Sequence, residues 1–126
     1  MISQGQAAIA VDLGASSGRV ILGHRPLSGP IELVTVHRFP TPLIEDGSSL
    51  RWDVQRLETE IRFGIEAARA EAWERRWSPS SLSIDAWGVD YVHVDAEGQP
   101  ASNPYAYRDH RVDDIPAWVD ATYGLD

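Results

Sequence analysis

The sequence contains no cysteine among its 126 residues. Disulfide bonds and thiolate metal sites are therefore excluded. Histidine is scarce as well: the four histidines are scattered and form no His-x-x-x-His pair, so we expect no transition-metal site. A hard cation held by carboxylate oxygens and water molecules remains compatible with this composition.

Positive charge is also in short supply. The chain has 11 basic and 19 acidic residues, which gives a formal net charge of −8. A surface of this kind repels the phosphates of nucleic acids and the head groups of anionic lipids, so we expect neither as a general partner. Local basic groups can still bind a small phosphate.

Long apolar runs are missing too. No segment approaches the roughly 20 apolar residues that span a bilayer, and the N-terminus lacks the basic and apolar regions of a signal peptide. We therefore expect a cytoplasmic protein that does not bind membranes. A hydrophobic content of 43% suits one globular domain with a sizeable core.

The apolar residues that are present change their spacing along the chain. Residues 7–13, 19–24 and 31–39 form short apolar runs separated by turns, which predicts an antiparallel meander. From Val54 to Ala72 the apolar residues recur every three or four positions, which predicts a helix over about residues 53–76. We expect residues 40–51 to be irregular, a parallel strand near 82–87, and a further helix over 112–123. The predicted fold is α/β with a mixed sheet.

The stretch from Val11 to Arg19 has the residue types of a phosphate-binding loop. Gly14 and Gly18 allow backbone angles that other residues resist. The small residues between them, Ala15, Ser16 and Ser17, let backbone N–H groups face an anion, and Arg19 adds positive charge. Asp12 fits beside a phosphate if Mg²⁺ lies between them. The same residues are also compatible with an ordinary Gly/Ser hairpin in which Asp12 is a turn residue.

Two further clusters have residue types that suit a sugar. In the first, Trp87 offers an aromatic face, Gly88 allows close approach of a ligand to the backbone, and Asp90 can hold hydroxyl groups. The alternative is a core tryptophan beside a β-bulge. The second cluster, PYAYRDHR at 104–111, is polar and aromatic, and a loop network of salt bridges is its alternative interpretation.

Together, these motifs resemble one family. AVDLGASSGRV (10–20), RWDV (51–54), SIDAWGVDYVHVD (83–95) and AYRDHR (106–111) look like the N-terminal region of L-rhamnulose kinases, which belong to the FGGY group of carbohydrate kinases. The first motif is shared broadly by actin-like ATPases, whereas the last two are more specific. The resemblance implies an actin-like (ribonuclease H-like) fold and transfer of the γ-phosphoryl group of ATP to the 1-hydroxyl of L-rhamnulose.

The resemblance also implies roles for individual residues. Residues 15–19 would be the phosphate loop for ATP, and Asp12 would face Mg²⁺. Gly88, Trp87 and Asp90 would line the sugar site, with Tyr107 and Asp109 as further candidates. No catalytic residue is expected in this chain, because the general base is an aspartate beyond residue 126.

Residues 1–126 are accordingly expected to form part of an N-terminal domain that works with the remainder of a kinase chain and has no activity alone. Two other classes of function stay open on sequence grounds. An actin-like ATPase would share the phosphate loop but need no sugar pocket. A stand-alone binding or structural module would need neither.

Overall fold

The computed structural model describes residues 5–124, which fall into two compact units. The first unit runs to Pro42 and resumes over Val54–Gly88, and the second comprises Leu43–Asp53 and the chain from Val89 onward. No helix among the described residues is long and apolar enough to cross a membrane. The elements in chain order are β1 (Gly5–Leu13), β2 (Ser17–Pro26), β3 (Glu32–Pro40), β4 (Leu43–Asp46), β5 (Ser49–Trp52), α1 (Val54–Arg75), β6 (Pro79–Ala86), a short 3₁₀ helix (His110–Val112) and α2 (Ile115–Tyr123).

The first unit is built on a four-stranded sheet with the order β3-β2-β1-β6. The strand pairs β1–β2 and β2–β3 are antiparallel, which confirms the predicted meander. Strand β6 lies parallel to β1, as expected for a strand that returns through a helical crossover. The fold is therefore α/β with a mixed sheet, as the change of apolar spacing predicts.

Helix α1 covers one face of this sheet. Side chains alternate along a strand, so the odd-numbered residues of β1 share one face. They are buried under α1 together with residues of β2 and β3; the buried core consists of Ile9, Val11, Leu13, Val20, Leu22, Phe39, Ala68 and Ala72. The helix comes closest at Gly64, where an added Cβ would lie 2.3 Å from Cγ2 of Val20. Only glycine permits this contact without a shift of α1.

A polar contact also ties α1 to β3. Nε2 of His37 lies 2.8 Å from Oε2 of Glu60, and both side chains are largely buried. The hydrogen bond with His37, with a second one from Arg56, holds the pKa of Glu60 below its ordinary value. The position of α1 on the sheet is thus fixed by both packing and a charged hydrogen bond.

Strand β6 is less well covered. Its ladder partners place Leu82 beside Ile9 and Ile84 beside Val11, on the same face of the sheet as the core. Because α1 packs mainly on β2 and β3, these two side chains stay 46% and 51% exposed. The first unit therefore presents apolar surface along this strand.

The second unit contains a hairpin where we expected irregular chain. Strands β4 and β5 pair in antiparallel fashion over residues 43–52, and Gly47, with φ of 64°, opens the two-residue turn between them. The expectation of irregular structure for 40–51 was therefore wrong for most of that stretch. A glycine at the first position of a two-residue turn was the signal that could have revealed it.

The chain around Tyr105 extends this hairpin. The Trp52 N–H donates to the carbonyl of Pro104 at 3.0 Å, and the Ala106 N–H donates to the carbonyl of Leu50 at 2.9 Å.

Helix α2 begins at Ile115 with Pro116 in its first turn, three residues later than predicted, because proline suits the start of a helix.

The end of α1 provides a test of the helix geometry. Arg76 has φ of 57°, and the Trp77 N–H donates to the carbonyl of Ala72, which is the hydrogen-bond pattern of a Schellman cap. Glycine adopts this left-handed conformation without the steric cost that arginine carries. We expect Arg76→Gly to raise the free energy of unfolding by about 0.5–1 kcal/mol, as measured by urea denaturation.

The adjacent residue supplies the control for this experiment. Arg75 is the last residue of α1, so Arg75→Gly should instead lower the free energy of unfolding by about 1 kcal/mol. Equal effects of both substitutions would show that the left-handed cap does not determine the result.

Candidate functional site

The predicted phosphate loop is a tight turn between β1 and β2. The Gly14 N–H donates to the carbonyl of Ser17 at 3.1 Å, which closes the turn. Thr41, which follows β3, contacts the turn from one side: its hydroxyl donates to the Gly14 carbonyl at 2.6 Å and its N–H donates to the Ser16 carbonyl at 3.1 Å. The turn is therefore held in one conformation by a residue that the sequence analysis did not single out.

The two glycines of this turn are needed for a reason that differs from our expectation. Neither Gly14 nor Gly18 has a positive φ. Instead, a Cβ on Gly18 would lie 2.3 Å from the buried ring of Phe39, and a Cβ on Gly14 would lie 2.9 Å from the Ser17 carbonyl oxygen. Close approach of neighbouring atoms, and not backbone freedom, requires glycine at both positions.

Charged side chains gather where β1 ends. Asp12 is a ladder partner of Arg19 on β2 and of Asp85 on β6, so all three side chains leave the same face of the sheet. Arg19 Nε donates to Asp12 Oδ2 at 2.7 Å, with both side chains about two-fifths exposed. Asp85 belongs to the motif SIDAWGVDYVHVD, whose sequence alone does not indicate that this residue lies beside Asp12. The sheet register could not be derived from spacing alone.

The predicted sugar-site residues are divided between the two units. Trp87 and Gly88 follow β6 in the first unit, whereas Asp90 belongs to the second. Trp87 is half-buried and packs against the hydrophobic core of the sheet. A Cβ on Gly88 would meet no atom within 4 Å, so the backbone there borders open space.

In the second unit, Asp90 contacts an aromatic pair. Its Oδ2 accepts a hydrogen bond of 2.6 Å from Nε1 of Trp52, a side chain that is almost fully buried. The ring of Trp52 packs beside that of Tyr107, with 6.0 Å between the ring centroids. Asp90 and Tyr107, both predicted from the sequence as sugar-site candidates, are thus connected through Trp52.

Asp90 also lines a cavity of about 120 Å³. Two arginines border this cavity and lie against one tyrosine ring: Cζ of Arg51 is 3.9 Å and Cζ of Arg111 is 4.0 Å from the ring centroid of Tyr105. Contacts of this kind position guanidinium groups while leaving their edges available for hydrogen bonds. The cavity is smaller than a typical ligand pocket but has a polar and aromatic lining that suits hydroxyl groups.

Asp109, the other candidate in this region, is buried and serves the backbone. Its carboxylate accepts hydrogen bonds from the N–H groups of Leu50 at 2.6 Å and Arg111 at 3.0 Å. The hydrogen bond from Leu50 is the main reason that the pKa of Asp109 lies below its ordinary value. The geometry gives this carboxylate a structural role, as the cap of the 3₁₀ helix and the link between that helix and β5.

Solved structures of sugar and glycerol kinases are similar to this chain. Xylulose kinase from Rhodospirillum rubrum superposes with a TM-score of 0.69 at 20% identity, covering 92% of this chain and 24% of that one. Plasmodium falciparum glycerol kinase with ADP gives a TM-score of 0.63 at 14% identity, covering 98% and 24%. The fold is that of the actin-like carbohydrate kinases of the FGGY group.

In sequence, the chain is similar to rhamnulokinases. It is 41% identical over 117 residues to the rhamnulokinase of Pectobacterium atrosepticum and 39% identical over 107 residues to that of Halalkalibacterium halodurans. These matches confirm the resemblance that the motifs indicate. They cover 92% and 85% of this chain, which spans only 23% and 22% of those relatives. No protein-family model matches the chain.

The buried carboxylate of Asp109 leads to a prediction about pH. Because its folded pKa is lowered, Asp109 stabilises the fold above the ordinary aspartate pKa of about 4. This contribution is lost as the pH falls from there through the lower folded value. We expect Asp109→Asn to lower stability at pH 7 and to make unfolding less dependent on pH below about 4, as measured by circular dichroism during acid titration.

Asp113→Asn is the matched control, because the carboxylate of Asp113 pairs with His110 on the exposed surface. The Asp113→Asn variant should be about as stable at pH 7 as the wild type. An Asp109→Asn variant that retains the acid sensitivity of the wild type would contradict the assignment of that sensitivity to Asp109.

Proposed function

We propose that this chain forms part of an ATP-dependent kinase that phosphorylates L-rhamnulose at its 1-hydroxyl. The observation that supports this most strongly is the 41% identity to a rhamnulokinase across 92% of the chain, in a segment that has the fold of sugar kinases. The remainder of the kinase chain would supply the general base and the rest of the cleft. The apolar surface left exposed on β6 fits such a longer protein.

The proposed role of residues Ala15–Arg19 is to bind the phosphates of ATP. Thr41 engages the carbonyl groups of Gly14 and Ser16, which would otherwise be available to repel an anion. A turn of small residues then allows phosphate oxygens to approach the backbone N–H groups. Arg19 forms an ion pair with Asp12, and we propose that Arg19 moves to a phosphate when ATP binds.

The residues at the end of β1 fit a magnesium ion. Asp12 is partly exposed, and its ladder partner Asp85 brings a second carboxylate to the same face of the sheet. Magnesium is commonly held by one or two carboxylates together with water molecules and nucleotide phosphates. When bound, it would neutralise charge on the transferring phosphoryl group. Asp12 would hold and orient the magnesium ion. Asp85, its ladder partner on β6, would be a second carboxylate close to the ion.

For the sugar, we propose contacts from Gly88, Trp87 and Asp90, with Tyr107 as a further candidate. The open space at Gly88 would let a sugar approach the backbone. Asp90 lines a polar cavity and would accept hydrogen bonds from hydroxyl groups. The half-buried ring of Trp87, which packs against the hydrophobic core, would form one wall of the sugar site.

The direct test is an ADP-release assay with the whole kinase and a panel of ketoses and polyols. We expect turnover with L-rhamnulose to exceed that with D-xylulose, glycerol and gluconate, and the product should carry its phosphate on the 1-hydroxyl. ATP hydrolysis that no sugar stimulates would favour an actin-like ATPase instead. Nucleotide binding without any turnover would favour a binding module.

Replacing Asp12 tests the proposed metal role. Asp12→Asn keeps the size of the side chain but removes its charge, so the metal would be held less tightly at the transferring phosphate. We expect kcat to fall by about 100-fold or more and the magnesium requirement to rise, while the thermal midpoint changes little. A magnesium titration of turnover beside a thermal melt measures both effects.

Asp120→Asn, on the exposed surface of α2, controls for the loss of one negative charge. It should leave kcat and the magnesium requirement unchanged. Normal turnover of Asp12→Asn at wild-type magnesium concentrations would show that Asp12 is only a turn residue.

Gly88→Trp tests the proposed sugar contact. Apart from its chain neighbours, no described atom lies within 4 Å of a Cβ at this position, so there is room for a side chain to begin here. The tryptophan side chain should fill the space proposed for the sugar. We expect the KM for L-rhamnulose to rise at least tenfold while the KM for ATP stays unchanged, because a misfit of even one methylene group costs about 1–3 kcal/mol. Steady-state kinetics with each substrate varied in turn separates the two values.

A graded control uses the same position. Gly88→Ala adds a single methyl group and should give a much smaller rise in the KM for L-rhamnulose. A rise in the KM for ATP alone would place Gly88 near the nucleotide.

A further inference from the structure

The segment Phe39-Pro40-Thr41-Pro42 lies directly against the candidate phosphate loop. The ring of Phe39 fills the space beside Gly18, and Pro40 is the ladder partner of Ser17. Proline restricts its own backbone to a narrow range of φ, so the two prolines stiffen the chain on both sides of Thr41. The loop thus rests on a short, rigid segment.

Thr41 makes the most specific of these contacts. Thr41 is only 8% exposed, although threonine is usually found on protein surfaces. Its hydroxyl donates to the Gly14 carbonyl at 2.6 Å, and its backbone N–H donates to the Ser16 carbonyl at 3.1 Å. One buried residue therefore donates hydrogen bonds to two carbonyl groups of the same turn, which belong to residues two positions apart.

These two hydrogen bonds also set the direction of two N–H groups. In a trans peptide unit, the carbonyl of one residue and the N–H of the next point in opposite directions because the unit is planar. When Thr41 holds the Gly14 carbonyl, the Ala15 N–H points away from Thr41. The Ser17 N–H is directed in the same way by the bond to the Ser16 carbonyl.

We infer that Thr41 is a positioning residue for phosphate binding. It orients the peptide units Gly14-Ala15 and Ser16-Ser17 so that their N–H groups face a nucleotide phosphate, and it touches no substrate itself. The inference rests on the proposed function, in which residues 15–19 form the phosphate loop. It assigns to Thr41 a share of the affinity for ATP and none of the affinity for the sugar.

Thr41→Val is the first test, because valine keeps the shape of threonine and the backbone N–H but removes the hydroxyl. In the whole kinase, we expect the KM for ATP and the dissociation constant for ADP to rise about fivefold to tenfold, the effect of one lost hydrogen bond. The KM for L-rhamnulose should stay unchanged. Thr41→Ser, which restores the hydroxyl, should return the nucleotide values to those of the wild type.

Thr35→Val is the matched control, because Thr35 is an exposed residue of β3 and should change none of these constants. If Thr41→Val does not fold, Thr41→Ala provides the same comparison with a smaller side chain. An unchanged dissociation constant for ADP, or failure of Thr41→Ser to rescue it, would overturn the inference.

Amide hydrogen exchange in the whole kinase gives a readout that does not depend on catalysis. The N–H groups of Gly14 and residue 41 are hydrogen-bonded within the turn, so with Thr41→Val their exchange should become about fivefold to tenfold faster, while exchange in α1 stays the same. Equal exchange rates in both proteins would overturn the inference. A whole kinase that binds ADP but phosphorylates no sugar would contradict the proposed function and leave the role of Thr41 standing, whereas one that binds no ADP would overturn both.

Discussion

The alternation of side chains along β1 is the constraint on which the candidate site depends. Burial of Ala7, Ile9, Val11 and Leu13 on the face covered by α1 forces Asp12 to the opposite face. A shift of one residue in the pairing would place this carboxylate in the hydrophobic core, so the register is strongly fixed. The same register brings Arg19 from β2 and Asp85 from β6 to either side of Asp12. Burial of the core thereby assembles the charged groups at the end of the strand.

Features that depend on local spacing were predictable from the sequence. The apolar runs gave β1, β2 and β3 to within a few residues, and the three-to-four spacing from Val54 onward gave α1. The hairpin of β4 and β5 was missed because its strands have only four residues each and neither shows alternating burial. Its stability comes instead from contacts with distant chain: the backbone bonds to Pro104 and Ala106, and the carboxylate of Asp109.

The candidate site was predictable as a set of residue types but not as a set of contacts. Spacing marked the Gly/Ser turn and the Trp-Gly sequence, but the bonds that hold them join residues far apart in the chain. Thr41 is 27 residues from Gly14, and Trp52 is 38 residues from Asp90. The same limit explains the glycines of the turn: their requirement arises from Phe39 and the Ser17 carbonyl, which only the folded sheet brings near. Backbone freedom is a property of one residue, whereas close approach depends on its neighbours in the fold.

The proposed phosphate site combines negative carboxylates with positively charged groups. Asp12 and Asp85 place two carboxylates beside the turn, while Arg19 brings one guanidinium, and the whole chain has a net charge of −8. The oriented N–H groups of the turn provide only partial positive charge. A nucleotide phosphate that draws Arg19 to itself would leave Asp12 without its counter-ion, and repulsion between carboxylate and phosphate would then oppose binding. A divalent cation between them removes this conflict because it attracts both groups. The proposed movement of Arg19 therefore depends on the proposed magnesium ion, which would replace Arg19 as the counter-ion of Asp12.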